Sequence, residues 1–387
     1  MTSRKKSVST SECHIEIPQV SSSQINRQAT SATSVYQKCL QLRIRLSKVE
    51  NFIPFIKAGA NSNDPLSNND SSNPTPLPTP PISSNAVSQL WACFRLGSSL
   101  CFLYNQLGYD QLEISDNLDL SNQSICKKGV ARFIMACKKL GDTERAESGG
   151  SKGWTTDDLF TVSDLYKTDT NGFIKVLHTV NLVLDRLESQ GKLLDEPQPI
   201  NSTTPTNGSP SLSNGFPNDL ISPIDNSPHP FSHINTTNAT RKKISQELIE
   251  SERKFIMDME LLQSFADEIR NSNIFSHDTH HSIFTNLNAL VDFQRRVQIG
   301  LEEAYEVDQS GGIGLWGRAF ANYENDWLIY APFVVNYKTA NKYLLENAEF
   351  IQNGTPSGLS HYEVQALLIK PTQRVCKYHL LIDVSLN

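Results

Sequence analysis

The chain has 387 residues, and its 35 Lys and Arg stand against 41 Asp and Glu, for a formal charge of −6. That balance excludes a whole-chain nucleic-acid binder, which carries a basic excess. The length allows two or three domains at about 150 residues each, while a hydrophobic share of 38% and a mean hydropathy of −0.37 leave part of the chain without enough apolar material to fold.

Met1–Thr10 is polar and lacks the apolar stretch of a secretory leader. No run of about 20 apolar residues marks a membrane span. The seven cysteines, Cys13, Cys39, Cys93, Cys101, Cys126, Cys137 and Cys376, are odd in number and without CxxC spacing. They read as reduced thiols of a cytosolic protein.

Residues 1–33 are Ser- and Thr-rich without period and are expected to be disordered. Over 34–58, Val35, Cys39, Leu42, Leu46, Val49 and Ile53 form one apolar stripe, and Pro54 stops the helix they predict. Lys38, Arg43, Arg45 and Lys48 flank it. Such a helix could lie on an acidic membrane, but packing against the neighbouring domain is the favoured reading. Residues 59–85, with their proline cluster, and 195–240, with eight prolines among Asn, Ser and Thr, read as linkers.

Between the linkers, 86–194 reads as a small all-α domain. Val87, Leu90, Trp91, Phe94, Cys101 and Tyr104 recur at helical spacing. Ile125 to Leu140 predicts a helix ended by Gly141, and Phe173 to Ser189 another stopped by Gly191. Beyond residue 240 the predicted helices are longer: Ile244–Ile269, about 283–306, 316–347 in one or two pieces, and Tyr362 to the end. Long helices of this kind suggest a bundle.

No phosphate loop, zinc-protease motif or hydrolase elbow is present. Gly311 to Gly314 reads as a flexible loop. His277, His280 and His281 read as a solvated loop between helices rather than a metal site. Asp169-Thr-Asn-Gly172 resembles the middle of a calcium loop, but the alignment puts Lys167 and His178 at its end positions, where carboxylates are needed. Thr170 and Asn171 are instead expected to cap the following helix.

Two observations carry more. Glu252 falls inside the apolar stripe of Ile244, Leu248, Phe255, Met259, Leu262 and Ala266. A carboxylate there meets a buried base or marks a face awaiting a partner, and the residues alone leave both open. Near the end, Lys370, Arg374 and Lys377 share one helix face beside Gln373, and Pro371 implies a kink or a helix start.

These same residues carry a resemblance. Arg241 to Phe255, and above all Leu368-Ile-Lys-Pro-Thr-Gln-Arg-Val-Cys-Lys-Tyr378, resemble the first and last conserved blocks of the Dbl-homology domain, the catalytic module of Rho-family guanine-nucleotide exchange factors. Asn322 to Lys342 looks like its middle region. Leu90 to Gly97, and Phe160 to Asp185, resemble the calponin-homology domain of fungal polarity exchange factors.

The resemblance implies an all-α protein, with a calponin-homology domain at 86–194 and an elongated but incomplete Dbl-homology bundle at 241–387, joined by disordered linkers. It implies a factor that stimulates GDP release from a Rho-family GTPase controlling cell polarity, with no covalent chemistry and no cofactor of its own. The alternative is an inert interaction fragment acting through the calponin-homology domain. Glu252 is implied to contact switch I and Lys377 to face switch II, both as catalytic residues. Gln373 and Cys376 line the same GTPase-binding face. Lys370 and Arg374 are assigned to it too, chiefly as supports of the bundle. On this basis, Glu252→Ala or Lys377→Ala is expected to abolish exchange without changing the melting.

Further implied partners are heterotrimeric G-protein βγ and polarity scaffolds, with no nucleic acid and at most indirect membrane association. The implied location is the cytoplasm, with recruitment to the cell cortex. Two departures are visible. His379 stands where the family commonly has proline. The family also continues past the equivalent of Asn387, so the chain reads as C-terminally truncated, with Leu380, Leu381 and Val384 expected to expose apolar surface.

Overall fold

A computed structural model describes residues 24–60, 85–115, 120–147, 153–198, 231–272, 275–310, 315–354 and 357–386. The expected linkers fall largely outside these residues, as do Cys13 and the Gly311–Gly314 loop. Among the described residues there is no strand, so the fold is all-α.

The N-terminal unit begins with α1 (Val35–Ser47) and α2 (Ile53–Ala60). The single helix expected over this stretch is therefore two. Lys48 closes α1, and Pro54 sits in the first turn of α2, where its missing N–H costs nothing. The apolar stripe of α1 is buried in the unit's core, and Arg45 pairs with Asp185 and Glu188 while Arg43 donates to Gln89. Both of these bases are thus engaged within the protein.

Next come α3 (Ala86–Arg95) and α4 (Ser98–Asn105), bent by 82° at Gly97. Gly97 has φ of 71°, and a Cβ there would stand 2.4 Å from the Cys126 carbonyl oxygen. Only glycine allows this crossing. The helix α5 (Gln123–Glu147) runs through Gly141 rather than ending at it. Gly141 is a contact point instead, where a Cβ would meet the Trp154 carbonyl oxygen at 2.4 Å.

The short α6 (Val162–Tyr166) leads to α7 (Thr170–Ser189). The α7 cap is Asp169, whose side chain accepts from Gly172 N, and not Thr170 or Asn171. Trp91 stacks on Phe173 with centroids 4.2 Å apart, and its Nε1 donates to the Leu165 carbonyl, which locks α3 against α6 and α7.

The C-terminal unit opens with α8 (Phe231–Asn271), a helix that starts within the expected linker. It continues through α9 (His277–Phe284), α10 (Leu287–Gln309), α11 (Arg318–Ala321), α12 (Tyr330–Glu346), α13 (Ala348–Gly354), α14 (His361–Leu368) and α15 (Lys370–Leu386). The core is drawn mainly from α8, α9, α10, α12 and α14. Pro371 lies in the first turn of α15, so it marks a helix start.

The two units are in direct contact through α10. Ile299 of α10 is buried in the core of the N-terminal unit. The Asp292 carboxylate accepts from Thr170 N, so one unit caps a helix of the other. Asn171 accepts from Arg295 and from Gln263, and Gln37 donates to Glu302 and Glu306. The chain before α1, expected to be disordered throughout, is described from residue 24 onward. There Ile25 packs on the C-terminal core and its carbonyl accepts from Lys254.

Candidate functional site

The helix α8 presents Glu252 to the interior, where its side chain is 0% exposed. Burying a bare carboxylate is expensive, so it must be paired and hydrogen-bonded. Arg374 of α15 meets Glu252 Oε2 through Nη2 and, at 2.9 Å, through Nε. The Gln294 amide of α10 donates to Oε1, and the Tyr378 hydroxyl lies 3.0 and 3.1 Å from the two carboxylate oxygens. The Tyr330 hydroxyl of α12 donates to the Gln294 carbonyl oxygen. Three helices thus meet on one carboxylate, and α12 joins them through Gln294.

The electrostatics follow from that burial. The hydroxyls of Tyr330 and Tyr378 are held well above the usual phenol range, first by burial and then by the Glu252 charge. Burial acts to lower the Arg374 guanidinium, yet Glu252 and Tyr378 together raise it above its ordinary value. Arg374 therefore stays charged throughout the physiological range. Trp327 and Phe320 stand edge-on to the Tyr378 ring, with centroids 5.4 Å away in each case, and close the network on its far side.

A second bridge acts one turn earlier on α15. Lys370 pairs with Asp258, which is 2% exposed and also holds Lys254. Since Lys370 meets Asp258 and Arg374 meets Glu252, α15 runs antiparallel to α8. The two bridges fix the rotation of α15 about its axis. The side turned away from Pro371 and Tyr378 then faces outward, with Gln373, Cys376, Lys377 and Leu380 all exposed. Their spacing of three, one and three residues makes one stripe.

This arrangement changes two expectations. Glu252 is not on a docking surface: of the two readings open from sequence, the buried base is the correct one. Its removal must destabilise the bundle, so an unchanged melting of Glu252→Ala is no longer expected. Arg374, at 6% exposure, and Lys370, held by Asp258, likewise support the bundle rather than line the outer face. Gln373, Cys376 and Lys377 do lie together on that face.

The sequence reading missed Glu247. It is exposed and lies one helical turn before Ser251, whose hydroxyl receives Arg374 Nη1. Because the helices are antiparallel, Glu247 stands about level with Lys377. The available signal was phase. Five residues separate Glu247 from Glu252, which turns them to different sides of α8.

The other candidates are structural. His277, His280 and His281 belong to α9 rather than to a loop, and His280 is buried with Nε2 2.9 Å from the Ala266 carbonyl oxygen. Burial lowers its pKa. Among the described residues no group of three His, Cys, Asp or Glu is placed to hold a metal, and no single helix is long and apolar enough to cross a membrane. Cys39, Cys93, Cys101, Cys126 and Cys137 are buried, while Cys376 is exposed. Burial pushes the Cys93 thiol up to about 12 and Cys101 to about 11, which keeps them protonated and inert.

With this geometry in hand, known proteins offer a comparison. Residues 244–386 match the RhoGEF domain family, and residues 85–184 match the CDC24 calponin family. The Rho guanine nucleotide exchange factor scd1 of Schizosaccharomyces pombe is 30% identical over 376 residues, which is 95% of this chain and 38% of that protein. Cell division control protein 24 of Saccharomyces cerevisiae is 26% identical over 305 residues, 76% of this chain and 31% of that protein. The chain thus spans well under half the length of both relatives. A solved Vav1 chain aligns with 90% of this chain and 60% of its own at 18% identity, with a TM-score of 0.32 too low to carry an argument.

Proposed function

We propose that this chain, which carries a RhoGEF domain behind a calponin domain of the CDC24 type, is a guanine-nucleotide exchange factor for a Rho-family GTPase acting in cell polarity. The observation that carries the reading is the buried Glu252–Arg374 pair, which holds α15 so that Gln373, Cys376 and Lys377 face outward opposite Glu247. A surface with a base on one helix and an acid on the next suits two mobile loops of one partner.

Exchange makes and breaks no covalent bond. A small GTPase at picomolar affinity holds its nucleotide with roughly 15 kcal/mol. The factor must therefore bind the nucleotide-free form more tightly than the loaded one, which shifts the population toward release. In this reading Lys377 and Glu247 engage the switch loops and draw them from the nucleotide and its magnesium. The rigid network beneath supplies a surface that does not yield. Nucleotide and magnesium belong to the GTPase, so this chain holds neither.

G-protein βγ and polarity scaffolds, together with recruitment to the cell cortex, belong to the same proposal. The test is the release of a fluorescent GDP analogue from purified Rho-family GTPases with the full chain added. Acceleration that Lys377→Ala removes, with unchanged melting, is the expected result. A chain that accelerates release from no member of the panel overturns the reading.

A further inference from the structure

We infer that the surface offered to the GTPase extends beyond α8 and α15 onto the strap formed by residues 25–33, with Arg27 contacting a carboxylate on the rim of the GTPase. The inference rests on the exchange-factor reading above. It begins from the register of α8. Glu247, Ser251, Lys254 and Asp258 are spaced four, three and four residues apart and so form one line along the helix. Lys254 Nζ donates to the Ile25 carbonyl oxygen at 2.7 Å, and Ile25 packs on the bundle core. The 3-10 turn Ser31–Thr33 lies against α8 as well. The strap is thus seated on the same line of α8 as Glu247. At 1.5 Å per residue, Lys254 is only about 10 Å from Glu247 along the helix.

Size makes this proximity matter. A stable protein interface takes about 800 Å² and roughly 20–30 residues from each partner. Among the described residues, the exposed rows of α8 and α15 on this face supply Gln246, Glu247, Glu250, Gln373, Cys376, Lys377 and Leu380, fewer than that. A partner centred there must spread onto its surroundings, and the strap adjoins it. The strap is not a plug, because Gln373, Cys376 and Lys377 remain exposed beside it. It presents Asn26, Arg27 and Gln28 outward. The planar guanidinium of Arg27 favours a carboxylate partner. Since the strap runs directly into α1, the same contact would join the calponin domain to the bound GTPase.

The full chain carrying Arg27→Glu tests this, assayed for release of a fluorescent GDP analogue over a range of GTPase concentrations. Lys138→Glu on the outer face of α5 serves as the control. Both positions are exposed, so melting should match wild type in each. The expected result is exchange about five- to tenfold slower at low GTPase concentration, recovering at saturation, for Arg27→Glu alone. An unchanged rate places the strap outside the footprint, and a faster one makes it an obstruction; either overturns the inference. A wild-type chain that neither binds nor discharges any Rho-family GTPase overturns the exchange reading itself, and the strap contact with it.

Discussion

The two units solve the same packing problem with different materials. The core around Trp91 and Phe173 is apolar and aromatic, and the cysteines within it are sealed, protonated thiols. The core of the C-terminal unit instead encloses a carboxylate, a guanidinium, an amide and two phenols in one connected network. An apolar core tolerates volume-conserving apolar substitutions at modest cost. A buried ion pair does not, because a misplaced charge is left unpaired in a low dielectric. The C-terminal unit is therefore the one held by directional interactions, and α15 is the helix they orient.

The difference can be broken most severely at Glu252. Glu252→Ala leaves Arg374 charged and buried, and should destabilise the C-terminal unit by about 3–5 kcal/mol in denaturant unfolding. Glu252→Met combined with Arg374→Leu should recover part of that loss, because no charge then remains alone. A double variant no better than the single one would contradict this account. Ile299→Ala comes next. It opens a cavity where α10 enters the N-terminal core and should cost about 2–5 kcal/mol. Because Ile299 comes from one unit and is buried in the other, the unfolding of the N-terminal unit should shift even though the substitution lies outside it.

Asp292→Ala removes the cap that α10 lends to α7, an effect of about 0.5–2 kcal/mol that calorimetry can read. Lys377→Ala should move stability least, within about 0.5 kcal/mol, while nucleotide release slows by about tenfold or more. A matching loss of stability would show that Lys377 supports the fold rather than the face. The same face can be followed chemically. Among the described cysteines, Cys376 should be the first alkylated in the native chain, and a bound GTPase should protect it.

Much of this was legible in one dimension. The helical periods marked the all-α fold, and the spacing of Lys370, Arg374 and Lys377 marked α15 as a helix, but not as one with a basic face, since Arg374 is buried on Glu252 and Lys370 is held by Asp258. Glu252 announced itself as a carboxylate in an apolar stripe. Periodicity reports only that a residue faces inward, however, and cannot say what it meets there. Arg374 is 122 residues further on, so the choice between a buried base and an open face could not be made locally. Breaks were also hard to read. Gly97 ends a helix while Gly141 lies within one, because a close backbone neighbour is common to both and only Gly97 has a positive φ. The histidines of α9 looked like loop residues because polar side chains at a helix start carry little apolar period.

By itself, the sequence determined the helical class, many of the residues with access to a core, and the family to which the two folded units are matched. All three depend on side-chain type and on spacing along the chain. Tertiary structure alone decided that Glu252 and Arg374 cancel one another inside the bundle, that Lys377 faces outward opposite Glu247, and that Asp292 caps a helix of the other unit. Those outcomes depend on which distant residues share a small volume. Hydrogen bonds and ion pairs act over a few ångströms of space and are indifferent to separation along the chain.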